Sequence, residues 1–311
     1  MNSNIFSRWS NVIFSSAIVT FFAGCSALGA LNTFVPERGV IATRDIVYGP
    51  NARNKLDVYQ PKALPPATSP TTVAKPVVVF FYGGAWDSGD KSSYFFMAEA
   101  LTSRGYVVVM PDYRVYPEVV FPLYMDDAAL AIKWTFDNAA QYGGDPNKIF
   151  LMGHSAGAQL AALAAYDAQY LSAVGVDKRR IKGVVSVAGP MDFLPLTEEK
   201  LFLIFPENVR AASQPVNFIN GHEPPTLLIH GLADTRVGIH NSRNLATRIR
   251  QYGGQVEETY YPETGHVGIL LQFAAPLRNG KPALERVAKF IDARTATQPL
   301  AKLSPLVYMG Q

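Results

Sequence analysis

Ser155 is the residue around which chemistry can be built. It stands in Gly153-His154-Ser155-Ala156-Gly157, after the apolar strand-like run Lys148-Ile149-Phe150-Leu151-Met152 and before Ala158-Gln159-Leu160-Ala161-Ala162-Leu163, which opens like a helix. A serine between two such glycines at a strand-to-helix turn reads as a nucleophile elbow. The turn is so tight that the serine backbone is strained, and side chains two positions to either side would clash. The hydroxyl is left at the end of a strand beside a helix N-terminus, whose free N–H groups and dipole favour an oxyanion. The chemistry this implies is nucleophilic attack on an acyl carbon.

A serine hydroxyl needs a base, and the base needs an orienting acid. Elbow proteins supply them in the chain order serine, acid, histidine, on loops after later strands. Pro225-Thr226-Leu227-Leu228-Ile229-His230 is strand-like and leads into Gly231-Leu232-Ala233-Asp234. Val256-Glu257-Glu258-Thr259-Tyr260-Tyr261 is a further strand-like run, leading into Pro262-Glu263-Thr264-Gly265-His266. Ser155, Asp234 and His266 thus each follow a strand, at the edge where open α/β sheets gather their chemistry. Of the five histidines, His154 sits inside the elbow and cannot fold back on its neighbour. His230 reads as a satisfied buried side chain, and His222 and His240 lack the strand-end context. Asp192, after Gly183-Val184-Val185-Ser186-Val187-Ala188, is a rival acid, with Asp234 in the more usual place.

Acyl transfer also needs N–H donors aimed at the developing oxyanion. The amide of Ala156, directly after the serine, is one. The apolar strand candidate Pro76-Val77-Val78-Val79-Phe80-Phe81 runs into Tyr82-Gly83-Gly84-Ala85-Trp86, where glycines let the backbone approach a substrate. The amides of Gly84 and Ala85 are the other candidates.

These motifs, with Gly89-Asp90-Lys91, Pro111-Asp112-Tyr113-Arg114 and Tyr142-Gly143-Gly144-Asp145-Pro146, form an ordered set over residues 45–295. The set resembles α/β-hydrolases of the carboxylesterase type, near the hormone-sensitive-lipase-like esterases. It is also similar to bacterial feruloyl and acetyl-xylan esterases, kynurenine formamidases and prenylcysteine methylesterases. The resemblance implies an α/β-hydrolase fold and a serine carboxylesterase acting through an acyl-enzyme on short-to-medium acyl esters, without a cofactor. An arylformamidase or peptidase with the same triad, or a lipid-anchored binding protein with an inactive fold, are the alternatives. Those families usually carry His-Gly-Gly-Gly-Trp, whereas this chain has Tyr82 and Ala85. Alanine keeps the N–H but loses φ/ψ freedom, and the Tyr82 hydroxyl can hydrogen-bond as a histidine ring would. Asp112 and Arg114 are expected to pair and fix the loop after their strand.

The elements that must hold these residues alternate in kind. Leu56-Asp57-Val58-Tyr59 and Tyr106-Val107-Val108-Val109-Met110 add strands, and helices are expected over 93–104, 126–141, 155–166, 240–252 and 282–293. Such alternation implies a mostly parallel sheet with helices on both faces. Ala63 to Lys75 is rich in Pro, Ala and Thr and reads as a surface loop. Residues 189–221 form an insert whose Phe193, Leu194, Leu196, Leu201, Phe202, Leu203, Ile204 and Phe205 either roof an acyl pocket or pack a helix on the sheet.

At 311 residues and 48% apolar, the chain suffices for one large α/β domain. A net charge of +3 gives no argument for nucleic acid. No metal constellation or phosphate loop is legible. Arg8 is the only charged side chain in the first 36 residues, and Val12 to Phe22 is apolar but for Ser15, Ser16 and Thr20. Followed by Ala23-Gly24-Cys25, this reads as an export signal too short to span a bilayer comfortably. Cys25 is the only cysteine, so no disulfide can form within the chain. The segment resembles a bacterial lipoprotein signal, with phenylalanine at position 22 where leucine is usual. The resemblance implies lipidation of Cys25 and membrane attachment, and Ser26 favours the outer membrane. The expected organisation is an export signal at 1–24, a tether at 25–40 and one catalytic domain at 41–311.

Overall fold

The computed structural model describes residues 29, 31–62, 74–275 and 277–296. Cys25, the export segment and residues 63–73 lie outside the described residues. Eight strands form one sheet: β1 (Val40–Val47), β2 (Lys55–Pro61), β3 (Lys75–Phe81), β4 (Val107–Pro111), β5 (Gly144–His154), β6 (Ile181–Val187), β7 (Thr226–Gly231) and β8 (Val256–Tyr261). Their order is β1-β2-β4-β3-β5-β6-β7-β8. β1 and β2 are antiparallel to their neighbours, and β4 through β8 run parallel. The parallel strands in the middle of the sheet are apolar runs because both faces are covered: Val77, Val78, Val79, Phe80 and Phe81 of β3 and Val107 to Met110 of β4 are fully buried.

The cover comes from α1 (Phe95–Thr102), α2 (Leu123–Asn138), α3 (Ala156–Tyr166), α4 (Ala168–Ala173), α5 (Glu199–Ile204), α6 (His240–Gln251) and α7 (Ala283–Thr295). α1 packs with α7, whereas α2 packs with α3 and α4. Phe150 of β5 meets Phe290 of α7 edge-on at 6.4 Å between centroids. Ile149 and Leu151, its neighbours along the strand, therefore point to the opposite face. α3 is buried along its whole length, as its run of alanines and leucines allows. The crossover order puts the ends of β3, β5, β7 and β8 along one edge of the sheet, which is where the candidate side chains come together.

Two ion networks brace that edge, and they correct one expectation. Asp112 and Arg114 do not pair. Arg114 forms a bidentate pair with Asp127 of α2, with Nε–Oδ2 and Nη2–Oδ1 both at 2.9 Å, and its own N–H donates to Asp127 Oδ2 at 2.8 Å. Asp112 instead accepts from the Lys91 N–H at 2.8 Å. The Lys91 ammonium lies 2.8, 3.3 and 3.6 Å from Asp45, Asp57 and Asp112. Burial works against the Lys91 charge, but these carboxylates outweigh it and hold its pKa above the ordinary lysine range. Both residues lie past the end of β4, where the chain has left the strand, and each reaches its own partner, Lys91 for Asp112 and Asp127 for Arg114. Asp127 is fully buried, and Arg114 is the cation that faces it. Arg114→Met should lower unfolding stability by about 3 kcal/mol, read as a lower urea midpoint at unchanged slope.

Candidate active site

The elbow is built by close backbone contact. β5 ends at His154 and α3 begins at Ala156, and Ser155 between them has φ 52° and ψ −125°. Such a conformation costs a non-glycine residue about 1–3 kcal/mol and persists only where its surroundings enforce it. Here the Ser155 N–H donates to Val187 O at 2.9 Å, and its carbonyl accepts from Ala158 N at 2.9 Å. A Cβ on Gly153 would lie 2.2 Å from Gly157 O, and one on Gly157 would lie 2.2 Å from Phe81 O. Any larger residue at either position would push β3, β5 and α3 apart.

The three side chains singled out by order meet at this elbow. His266 Nε2 is 2.9 Å from Ser155 Oγ, and His266 Nδ1 is 2.7 Å from Asp234 Oδ2. All three residues are nearly buried, at 8–9% exposure, so water competes little for these bonds. Asp234 is aimed by its own loop: Oδ1 accepts from the N–H groups of Arg236 and Val237, each at 2.9 Å. Burial works against the Asp234 charge, but hydrogen bonds from His230 and His266 outweigh it and hold its pKa below the ordinary carboxylate range. Asp192 is engaged elsewhere, accepting from Asn244 Nδ2 at 2.7 Å.

The amide candidates surround the same point. Gly84 O accepts from Asp87 N at 3.1 Å, Ser88 N at 3.1 Å and Ser88 Oγ at 2.9 Å, all on the loop side. The Ala85 N–H shares that peptide plane and points the opposite way, and Ala85 lines the same pocket as Ser155. Gly84 has φ 154°, and a Cβ there would lie 2.1 Å from Ser88 O, so this turn requires glycine. Ala85 and Trp86 hold φ values of 49° and 60°, so the loop takes a left-handed course without glycine at 85. Among the described residues, the N–H groups of Gly84, Ala85 and Ala156 have no hydrogen-bond partner. Tyr82 does hydrogen-bond through its hydroxyl, accepting from Arg53 Nη2 at 3.0 Å, while its ring stacks on Tyr113 at 4.6 Å.

A cavity of about 540 Å³ opens over Ser155. Its lining mixes the apolar Trp86, Pro190, Phe193, Leu194 and Leu201 with the polar Glu198, Arg236, His240 and Asn241. The 189–221 insert takes the first of the two roles its sequence allowed, bordering the cavity. It lines the cavity through Phe193, Leu194 and Leu201 and also packs Phe205 edge-on to Trp86 at 4.8 Å. The Trp86 indole donates to Gln159 Oε1 at 2.9 Å, and Lys200 pairs with Asp87, so the insert and oxyanion loop are tied together.

Sequence reasoning missed two histidines. His230 is buried as expected, yet its Nε2 lies 3.2 Å from Asp234 Oδ2. His154 does not serve Ser155, but its Nε2 lies 3.3 Å from the His266 carbonyl. The one available signal was position, since each flanks a candidate residue at a strand end.

Comparison with known proteins gives the family. The model of the BD-FAE family matches residues 56–249. The chain belongs to the BD-FAE family. Among its relatives, the isoprenylcysteine alpha-carbonyl methylesterase ICME of Arabidopsis thaliana is 32% identical over 78% of this chain and 60% of its own length. Esterase LipC of Mycobacterium tuberculosis is 32% identical over 82% of this chain and 66% of its own length. The chain thus spans less than two thirds of these relatives. Among solved structures, Thermogutta terrifontis esterase 2 phosphoramylated by tabun superposes with TM-score 0.67 at 25% identity, over 85% of this chain and 98% of that one. The family match takes in β2 through α6, hence the elbow, the oxyanion loop and Asp234, while His266 lies beyond it.

The lowered Asp234 pKa has a definite sign in stability. A depressed carboxylate stabilises the fold above its unfolded pKa, about 3.9, and that contribution is lost as pH falls through the folded value. Wild type should therefore exceed Asp234→Asn in stability at neutral pH. The gap should close on acidification below about pH 4, followed by urea midpoints across pH.

Proposed function

We propose that this BD-FAE protein is a serine carboxylesterase. The observation that carries the reading is the unbroken chain from Ser155 Oγ through the His266 ring to Asp234, at 2.9 and 2.7 Å. His266 takes the hydroxyl proton as Ser155 attacks the ester carbonyl, and Asp234 stabilises the imidazolium that forms. The N–H groups of Ala156, Gly84 and Ala85 receive the oxyanion. His266 then returns the proton to the leaving alcohol, and the same base activates the water that frees the acyl group. The names of the relatives as esterases support the reaction class. A cavity of about 540 Å³ with Trp86, Phe193, Leu194 and Leu201 in its lining matches short-to-medium acyl groups.

The organisation of the chain belongs to the same proposal. Residues 1–24 act as an export signal, Cys25 carries a lipid, residues 25–40 are a tether, and 41–311 form the catalytic domain in the cell envelope. The support is the apolar run ending in Ala23-Gly24-Cys25. Cys25→Ala expressed in a bacterium should move the protein from the membrane to the soluble fraction. Retention of the variant in the membrane would contradict lipid anchoring.

The enzymatic test uses p-nitrophenyl esters from acetyl to dodecanoyl with residues 26–311. Hydrolysis should favour the shorter chains, vanish in Ser155→Ala, and fall about 10⁴-fold in kcat in Asp234→Asn. A folded wild type inert on every ester would overturn the esterase reading. Turnover of formamides or peptides would then move the same triad to another acyl substrate, and inertness on all three would leave a binding role.

A further inference from the structure

We propose that His154 is a positioning residue that locks the oxyanion loop to the loop of the general base through Tyr94; this rests on the esterase reading of Ser155 and His266. His154 is 4% exposed and lies behind the elbow. Its Nε2 is 3.3 Å from the His266 carbonyl, and its Nδ1 is 3.1 Å from Tyr94 Oη. Tyr94 Oη in turn accepts from the Gly83 N–H at 3.3 Å.

One assignment of protons satisfies every member. A carbonyl only accepts, so His154 Nε2 carries the hydrogen and Nδ1 is the acceptor. The Tyr94 hydroxyl therefore donates to Nδ1, which leaves its lone pairs for Gly83. The chain runs Gly83 N–H to Tyr94 O–H to His154 to the His266 carbonyl, all in one direction. It begins on the residue before Gly84 and ends on the backbone of His266. Bonds aligned this way polarise one another and act as a unit.

The contact is also steric. Gly83 packs so closely that a Cβ there would lie 2.7 Å from His154 Nδ1. The His154 and His266 rings lie 4.9 Å apart at centroids. Burial first, and then the neighbouring His266, drive the His154 pKa well below the ordinary histidine value. A neutral ring is what this place requires, because catalysis puts a positive charge on His266 next door. Ser155 and His154 are adjacent in the chain and point to opposite sides of the strand end. The serine therefore meets the ring of His266 while His154 meets its backbone.

The test compares wild type, Tyr94→Phe, His154→Ala and the double variant, with kcat normalised to active sites titrated by a fluorophosphonate. Each single change should lower kcat about 10–100-fold by loosening the alignment, with KM within about twofold of wild type. The double variant should be no slower than the slower single, since one chain is broken once or twice. Unchanged kcat in folded Tyr94→Phe, or losses that multiply in the double variant, would overturn the proposal. If His154→Ala does not fold, Tyr94→Phe decides by the same split of kcat from KM. A wild type that neither hydrolyses esters nor reacts with the fluorophosphonate refutes the esterase reading itself, an outcome distinct from active wild type with unaffected variants.

Discussion

The contact of Gly157 with the end of β3 is the constraint on which the rest of the site depends. The carbonyls of Phe81 and Tyr82 lie within 2.2 and 2.3 Å of where a Gly157 Cβ would stand, and Gly157 O lies equally close to the Cβ position of Gly153. No side chain fits between these backbones. The turn at Ser155 is consequently closed around a positive φ that a free serine would avoid. The same approach sets the distance between the hydroxyl at the end of β5 and the Gly83-Gly84-Ala85 loop at the end of β3. Ser155 and the candidate oxyanion donors are placed by one packing event.

Everything else at that edge holds the remaining loops to this fixed point. The Asp234 loop is fastened by two backbone N–H groups and by His230, and the His266 loop is fastened through its carbonyl by His154. Trp86 ties the oxyanion loop to α3 through Gln159, whose Nε2 donates to Ser213 O of the insert at 2.8 Å. Beneath them, Lys91 with its three carboxylates and Arg114 with Asp127 fix the strand ends. Removing one partner of the buried Arg114–Asp127 pair would leave the other's charge uncompensated. Low exposure at the triad then makes each hydrogen bond count for more than it would in water.

Much of this was legible in the sequence, and the reasons differ by element. β3, β4 and β7 could be read because strands covered on both faces are uninterrupted apolar runs. The meeting of Ser155, Asp234 and His266 could be anticipated because chain order and strand-end position are visible in the sequence. β1 was missed: Val40–Val47 is a largely exposed edge strand carrying Arg44 and Asp45, so it shows no apolar alternation. α5 has six residues, too few to display a helical period. The pairing of Arg114 with Asp127 and the contacts of His154 depend on chain crossings that no local pattern encodes. The link between His154 and the His266 carbonyl arises only from the placement of β8 beside β7.

The most direct measurement is to treat the purified chain with a fluorophosphonate and locate the adduct by intact mass and peptide mapping. One phosphonyl group per molecule is expected, on the peptide holding Ser155. Ser155→Ala should take up no adduct, and His266→Ala should label far more slowly. A folded protein that takes up no adduct, or takes it up on another residue, would contradict the claim that this elbow presents an activated serine.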